Sequence, residues 1–208
     1  MKILILLVLS FQLFAKSHQQ RLEEWTALNE IKMLERYQII QTDWFSRDCL
    51  KLASKMKFDK IIKCNVLDSE ELNAYVLNNG HVYFSKPLMK LINNKHQWAS
   101  ILAHENAHLE LNHYIKRLIK LDKPSLFFTK SRLKKFMKKQ EEEADQWASN
   151  YLKDKGFDEN QIYYFFNRVA KAQESKMSTT HKRPKHRMKK HSKKEIFNNK
   201  LISLIETL

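Results

Sequence analysis

His104, Glu105 and His108 stand in the order His-Glu-Asn-Ala-His, inside a segment from Trp98 to Leu111 whose apolar residues recur at helical spacing. On a helix, residues four apart share a face. His104 and His108 can therefore each offer a ring nitrogen to one tetrahedral ion, while Glu105 reaches a water beside it. The chemistry such a trio supports is metal-assisted hydrolysis, with the carboxylate as the base. Two histidines on one face can also simply pack at a surface. Ile101, Leu102, Ala103 and Leu109 argue against that reading, because they make the helix apolar and buried, and three adjacent titratable groups are costly there without a cation to pair them.

An ion held by two histidines needs a third ligand, and a carboxylate from another helix is a common solution where one position stays open for water. Glu141, in the run Glu141-Glu142-Glu143-Ala144-Asp145, is the best candidate. Asp145, four residues on, would accept the free ring N–H of a liganding histidine and so fix its orientation. Taken alone, three successive glutamates read as the solvated first turn of a helix, which the helix dipole favours.

These residues make the sequence resemble the HtpX-like and CAAX-prenyl-protease-like zinc metallopeptidases, in their soluble periplasmic branch, over about residues 58–190. Asn73 to Ser85 is similar to the strand-turn-strand before that family's metal helix, including its Asn-Ala pair, here Asn73 and Ala74. Ile101 to His113 resembles the metal helix itself, with a further histidine five residues after the second ligand. Glu141 to Asp145 resembles the family's E-x-x-A-D, whose first glutamate is the third zinc ligand. Met177 to Arg187 resembles its S-T-H-P segment, with His181 and an arginine, Arg187, six residues later. Lys182 replaces the proline there, and Asn78 stands where the turn often has one.

The resemblance implies an α+β fold, a mainly helical zincin-like metallopeptidase domain with a small β-sheet beside the HExxH helix. It also implies Zn²⁺ held by His104, His108 and Glu141, and a strand beginning at Asn73 and Ala74 along the substrate cleft. His181 or Arg187 would stabilise an oxyanion, although a surface role is equally open for each. His181 could alternatively occupy the open zinc position in a resting state.

The elements that must position these groups are legible in outline. Residues 20–41 form an expected amphipathic helix through Leu22, Trp25, Leu28, Met33, Leu34 and Tyr37, and residues 44–56 a second helix. Residues 61–67, 74–77 and 81–84 read as strands, with Asn79-Gly80 as the hairpin turn. Residues 86–93 read as helix. Asn94 then caps the metal helix, with Gln97 placed for a capping box. Gly156 stops the carboxylate helix, and Asp158 with Gln161 starts another over 162–174, whose Tyr163, Tyr164, Phe165 and Phe166 are expected in the core. Leu126-Phe127-Phe128 is an apolar patch that either packs on the core, lines the cleft or touches a membrane. Residues 195–208 are expected to form a terminal amphipathic helix.

With 208 residues, only two glycines and three prolines, the chain has room for one mainly helical domain. The expected division is a signal peptide at 1–15, N-terminal helices at 16–57, the peptidase domain at 58–190 and a packed C-terminal helix at 191–208. Lys2 followed by the apolar run from Ile3 to Phe14 and then Ala15 has the form of a secretory signal cleaved near Ala15. The run falls short of the roughly twenty residues that span a bilayer, and an uncleaved anchor stays open. Export would permit Cys49 and Cys64 to pair, two buried thiols being the alternative. The net charge of +15 gathers in residues 116–139 and 176–194. It supports general attraction to acidic surfaces, including peripheral contact with an anionic membrane, but no ordered nucleic-acid motif accompanies it, so no specific nucleic-acid partner is expected.

The expected function is thus a zinc metalloendopeptidase, exported to the periplasm or secreted, cutting proteins or peptides of the cell envelope, among them misfolded ones in quality control. The alternative is a metal-stabilised binding or chaperone-like protein with a basic surface. Glu105 favours the enzyme, since a scaffold without catalysis need not keep the base.

Overall fold

Asn79 and Gly80, between two runs of alternating apolar residues, fold as the expected hairpin turn in a computed structural model that describes residues 16–40, 43–122 and 130–175. Strand β3 (Ala74–Val76) runs antiparallel to β4 (His81–Ser85) with Tyr75 opposite Tyr83. Gly80 has φ +79°, and a Cβ there would lie 2.0 Å from the Lys60 carbonyl oxygen, so only glycine fits where the loop before the next strand crosses. That strand, β2 (Lys63–Leu67), pairs parallel with β4, and β1 (Ile39–Ile40) adds antiparallel to β2, for the order β1-β2-β4-β3. The parallel pairing and β1 are additions to the sequence reading. Both leave β3 as an edge strand.

The helices are α1 (His18–Arg36), α2 (Asp43–Lys55), α3 (Lys86–Met89), α4 (Lys95–Glu110), α5 (His113–Asp122), α6 (Lys130–Asp154) and α7 (Glu159–Ser175). Alternation along the strands separates two layers. Cys64, Val66, Ala74, Val76, Val82 and Phe84 face the main core, with Phe45 and Ala53 of α2, Trp98 and Leu102 of α4, and Leu152 and Phe165 from α6 and α7. Leu67, Leu77 and Tyr83 face the other way, where Met33 and Tyr37 at the end of α1 cover them. The result is a mainly helical α+β domain with a small mixed sheet beside the metal helix, as expected. Among the described residues, no helix is long and apolar enough to cross a membrane.

Several local expectations are corrected. The first helix ends at Arg36, and the following Ile39–Ile40 pairs with β2 instead of continuing it. Leu28 and Leu34, expected on its buried face, are exposed at 56% and 41%. Helix α3 stops at Met89 after one turn. Asn94 caps α4 by accepting from the His96 and Gln97 amides, but Gln97 returns its contact to the Asn93 amide at 2.7 Å, one residue earlier than a capping box would. Glu141 to Glu143 lie midway along a 25-residue helix, which removes the alternative of a solvated first turn and leaves the ligand reading of Glu141 in place. Of the four aromatics of α7 only Phe165 is fully buried.

Cys49 of α2 and Cys64 of β2 form a disulfide that joins the helix to the sheet. Closing a loop of this length removes about 3 kcal/mol of unfolded-chain entropy. The leader at 1–15, the Leu126-Phe127-Phe128 patch, the basic stretch at 176–194 and the terminal helix at 195–208 lie outside the described residues.

Helix α1 is held to the sheet through one carboxylate. Glu30 accepts hydrogen bonds from Asn79 Nδ2 at 2.9 Å and from the Tyr83 hydroxyl, and meets His81 Nδ1 at 2.6 Å. Partial burial pushes the Glu30 carboxyl up, but the hydrogen bonds from Tyr83, His81 and Asn79 outweigh it and hold the group below its ordinary value of 4.5. A carboxyl depressed by folding stabilises above its unfolded pKa and loses that contribution as pH falls through the folded value. Glu30→Gln should therefore lower Tm at pH 7, and the gap to the parent should shrink as pH falls below 4.5. Thermal melts at both pH values check this; a gap independent of pH would contradict it.

Candidate metal centre

Helix α4 is buried on every side from Gln97 to Leu109, a position that its apolar residues demand and that its polar ones must be compensated to accept. Its start is fixed by a closed hydrogen-bond network. Asn94 Nδ2 donates to Gln161 Oε1 at 3.2 Å, Gln97 Nε2 donates to the Gln161 carbonyl at 3.0 Å, and Arg168 donates to both Gln97 Oε1 and the Leu91 carbonyl. Against it packs α6, with Ala103 and Ala107 buried on one helix and Ala144 and Ala148 buried on the other. One turn of each helix then presents the chemistry.

His104, Glu105 and His108 are each at most 6% exposed. Ligand atoms of His104, His108 and Glu141 all lie within 4.8 Å of one another. His104 Nε2 is 3.3 Å from His108 Nε2 and 3.4 Å from Glu141 Oε2, and His108 Nε2 is 3.7 Å from Glu141 Oε1. Ligands on a tetrahedral zinc with bonds of ~2.0–2.1 Å stand about 3.3–3.4 Å apart, so the donor set fits that ion in kind and in spacing. Two imidazole nitrogens facing each other and a carboxylate also make little sense as a purely hydrogen-bonded group, because one cation would satisfy all three.

Behind these atoms the outer contacts differ. His104 Nδ1 meets Asp145 Oδ1 at 2.8 Å, the contact expected from the spacing of Glu141 and Asp145. His108 Nδ1 instead meets His113 Nδ1 at 2.9 Å. His113 is fully buried, and burial pushes its pKa below the ordinary histidine value. The Tyr114 hydroxyl donates to the Val76 carbonyl of β3. Burial, with the Glu105 carboxylate adding to it, pushes that phenol up, which keeps it a donor.

The strand register distinguishes Asn73 from Ala74. The Asn73 carbonyl accepts from the Ser85 amide and its own amide donates to Ser85 Oγ, so its backbone is turned toward β4. Leu77 likewise bonds His81, which leaves Ala74 and Val76 directed to the open edge, where Tyr114 occupies Val76. Ala74, not Asn73, is the residue whose backbone faces the edge. His181 and Arg187 lie outside the described residues. His113, Glu143 and Tyr114 carry contacts that the sequence reading did not assign. The histidine five residues after His108 was visible as part of the resemblance, but five residues do not share a helix face.

Removing Glu141 should cost more than removing an outer partner. Glu141→Gln is expected to weaken zinc by well over the ~10–100-fold expected for Asp145→Ala. Chelator competition on the purified chain measures both, and full affinity in Glu141→Gln would remove it from the site.

Residues 40–133 match Peptidase family M48. The chain is also similar to a curated protein, the metalloendopeptidase OMA1, mitochondrial, of Bos taurus, at 28% identity over a region that covers 44% of this chain and 20% of that protein. It thus spans about a fifth of the length of that relative. The family match includes His104, Glu105 and His108 but ends before Glu141, so the third donor comes to the site through the packing of α6 on α4. Over residues 40–133 the chain is thus similar to Peptidase family M48, a family of zinc-dependent metallopeptidases.

Proposed function

We propose that the chain is a zinc-dependent endopeptidase acting on proteins or peptides outside the cytoplasm. The observation that carries this reading is the meeting of His104 Nε2, His108 Nε2 and the Glu141 carboxylate beside a buried Glu105. Zinc, when bound there, supplies a Lewis acid that polarises a scissile carbonyl and makes water a better nucleophile near neutral pH. Glu105 takes the proton from that water and passes it to the leaving amine. Its burial keeps the carboxylate desolvated and close to the reaction. Asp145 holds the His104 imidazole in place. An extended substrate adds to the edge of β3, with Ala74 as its pairing partner and Tyr114 ending the available edge at Val76.

Export to the periplasm or beyond, in the soluble branch of the HtpX-like proteins, is the cellular setting we propose, with misfolded envelope proteins as substrates. The signal-like first fifteen residues and the Cys49–Cys64 disulfide support an oxidising compartment. The net charge of +15 suits acidic substrates or an anionic membrane face. A binding protein that merely keeps the metal for stability would have no use for a buried Glu105.

Casein cleavage by the purified chain should stop on chelation and return with added zinc. Glu105→Gln should keep one zinc per chain and lose cleavage by at least the ~10²–10⁴-fold that a general base contributes. Cleavage that survives in that variant would contradict the mechanism.

A further inference from the structure

The metal helix ends with Glu110, and the chain reverses through Asn112 at φ +54°, the left-handed conformation that asparagine tolerates better than most residues. This turn starts α5 at His113 and brings that ring back under His108, five residues earlier. The ring is pinned from both ends. The His113 carbonyl accepts from Gln140 Nε2 at 2.9 Å, Gln140 Oε1 accepts from Arg117 at 3.0 Å, and His113 Nε2 stands 3.3 Å from Glu143 Oε2. Gln140 is itself fully buried, so this is a built contact and not a surface encounter.

We propose that His113 is the positioning residue for the ligand His108, fixing its tautomer and ring plane through an imidazole–imidazole hydrogen bond anchored at Glu143. The inference rests on the zinc reading of the site. A lone pair of His108 Nε2 directed at zinc puts the proton on His108 Nδ1, which then donates across the 2.9 Å contact. His113 Nδ1 must accept that bond, so the His113 proton sits on Nε2, where Glu143 Oε2 receives it. Each proton position follows from the one before. The two ligands are consequently unequal, since His104 is backed directly by the Asp145 carboxylate and His108 by a neutral ring with its carboxylate one step further out.

The test uses the purified full chain and zinc ions alone. His113→Leu, which cannot accept, should weaken zinc ~10–100-fold, whereas His113→Asn, whose amide oxygen can take the place of Nδ1, should stay much closer to the parent. Long-range proton–nitrogen spectra of the zinc-loaded parent should place hydrogen on His108 Nδ1 and His113 Nε2. That measurement stands even where His113→Leu fails to fold. Hydrogen found on His113 Nδ1, or parental affinity in a folded His113→Leu, would overturn the role of His113 and leave the zinc site standing. A parent chain that binds no zinc would overturn the site reading beneath it.

Discussion

Two imidazoles and a carboxylate pressed together inside a packed helix pair are tolerable only if a cation joins them. Around that demand the rest of the molecule is arranged. His104, His108 and Glu141 come from two packed helices, with ligand atoms within 4.8 Å. Without an ion the cost of burying them falls on the α4–α6 interface; with one, the same contact becomes a brace between the helices. Metal binding and folding of this region are therefore coupled.

The outer polar contacts serve that constraint at both ends of α4. Near its start, Gln97, Asn94, Gln161 and Arg168 satisfy one another and tie α7 to the helix. Near its end, His113, Gln140 and Arg117 tie α5 to α6. A buried network of this kind is stabilising only when each member is satisfied, and it then fixes helix register more sharply than apolar packing does. The sheet contributes position more than strength. Its edge strand β3 lies against α4, and Tyr114 of α5 ties β3 to the next helix by donating to the Val76 carbonyl.

How much of this could be read beforehand follows from the range of each signal. HExxH and the later glutamate are local patterns whose chemistry is specified by residue type and helical spacing, so the ligand set and Asp145 were legible. The Asn79-Gly80 turn, the Asn94 cap and the Gly156 stop were legible for the same reason, since backbone conformation there is dictated by the residue. The parallel pairing of β2 with β4 and the strand Ile39–Ile40 were not, because pairing partners distant in sequence leave no local mark. Leu28 and Leu34 misled for a related reason: periodicity shows that a face is apolar, not that another element covers it. His113 was visible as a residue but not as a partner of His108. Its position depends on one left-handed residue, Asn112.

The central claim, a zinc held by His104, His108 and Glu141, is tested most directly by X-ray absorption at the zinc edge on the purified chain. The account predicts one zinc per chain in a four-coordinate shell of nitrogen and oxygen only, with two imidazoles at about 2.0–2.1 Å. Sulfur in the shell, fewer than two imidazoles, or no bound zinc would contradict it.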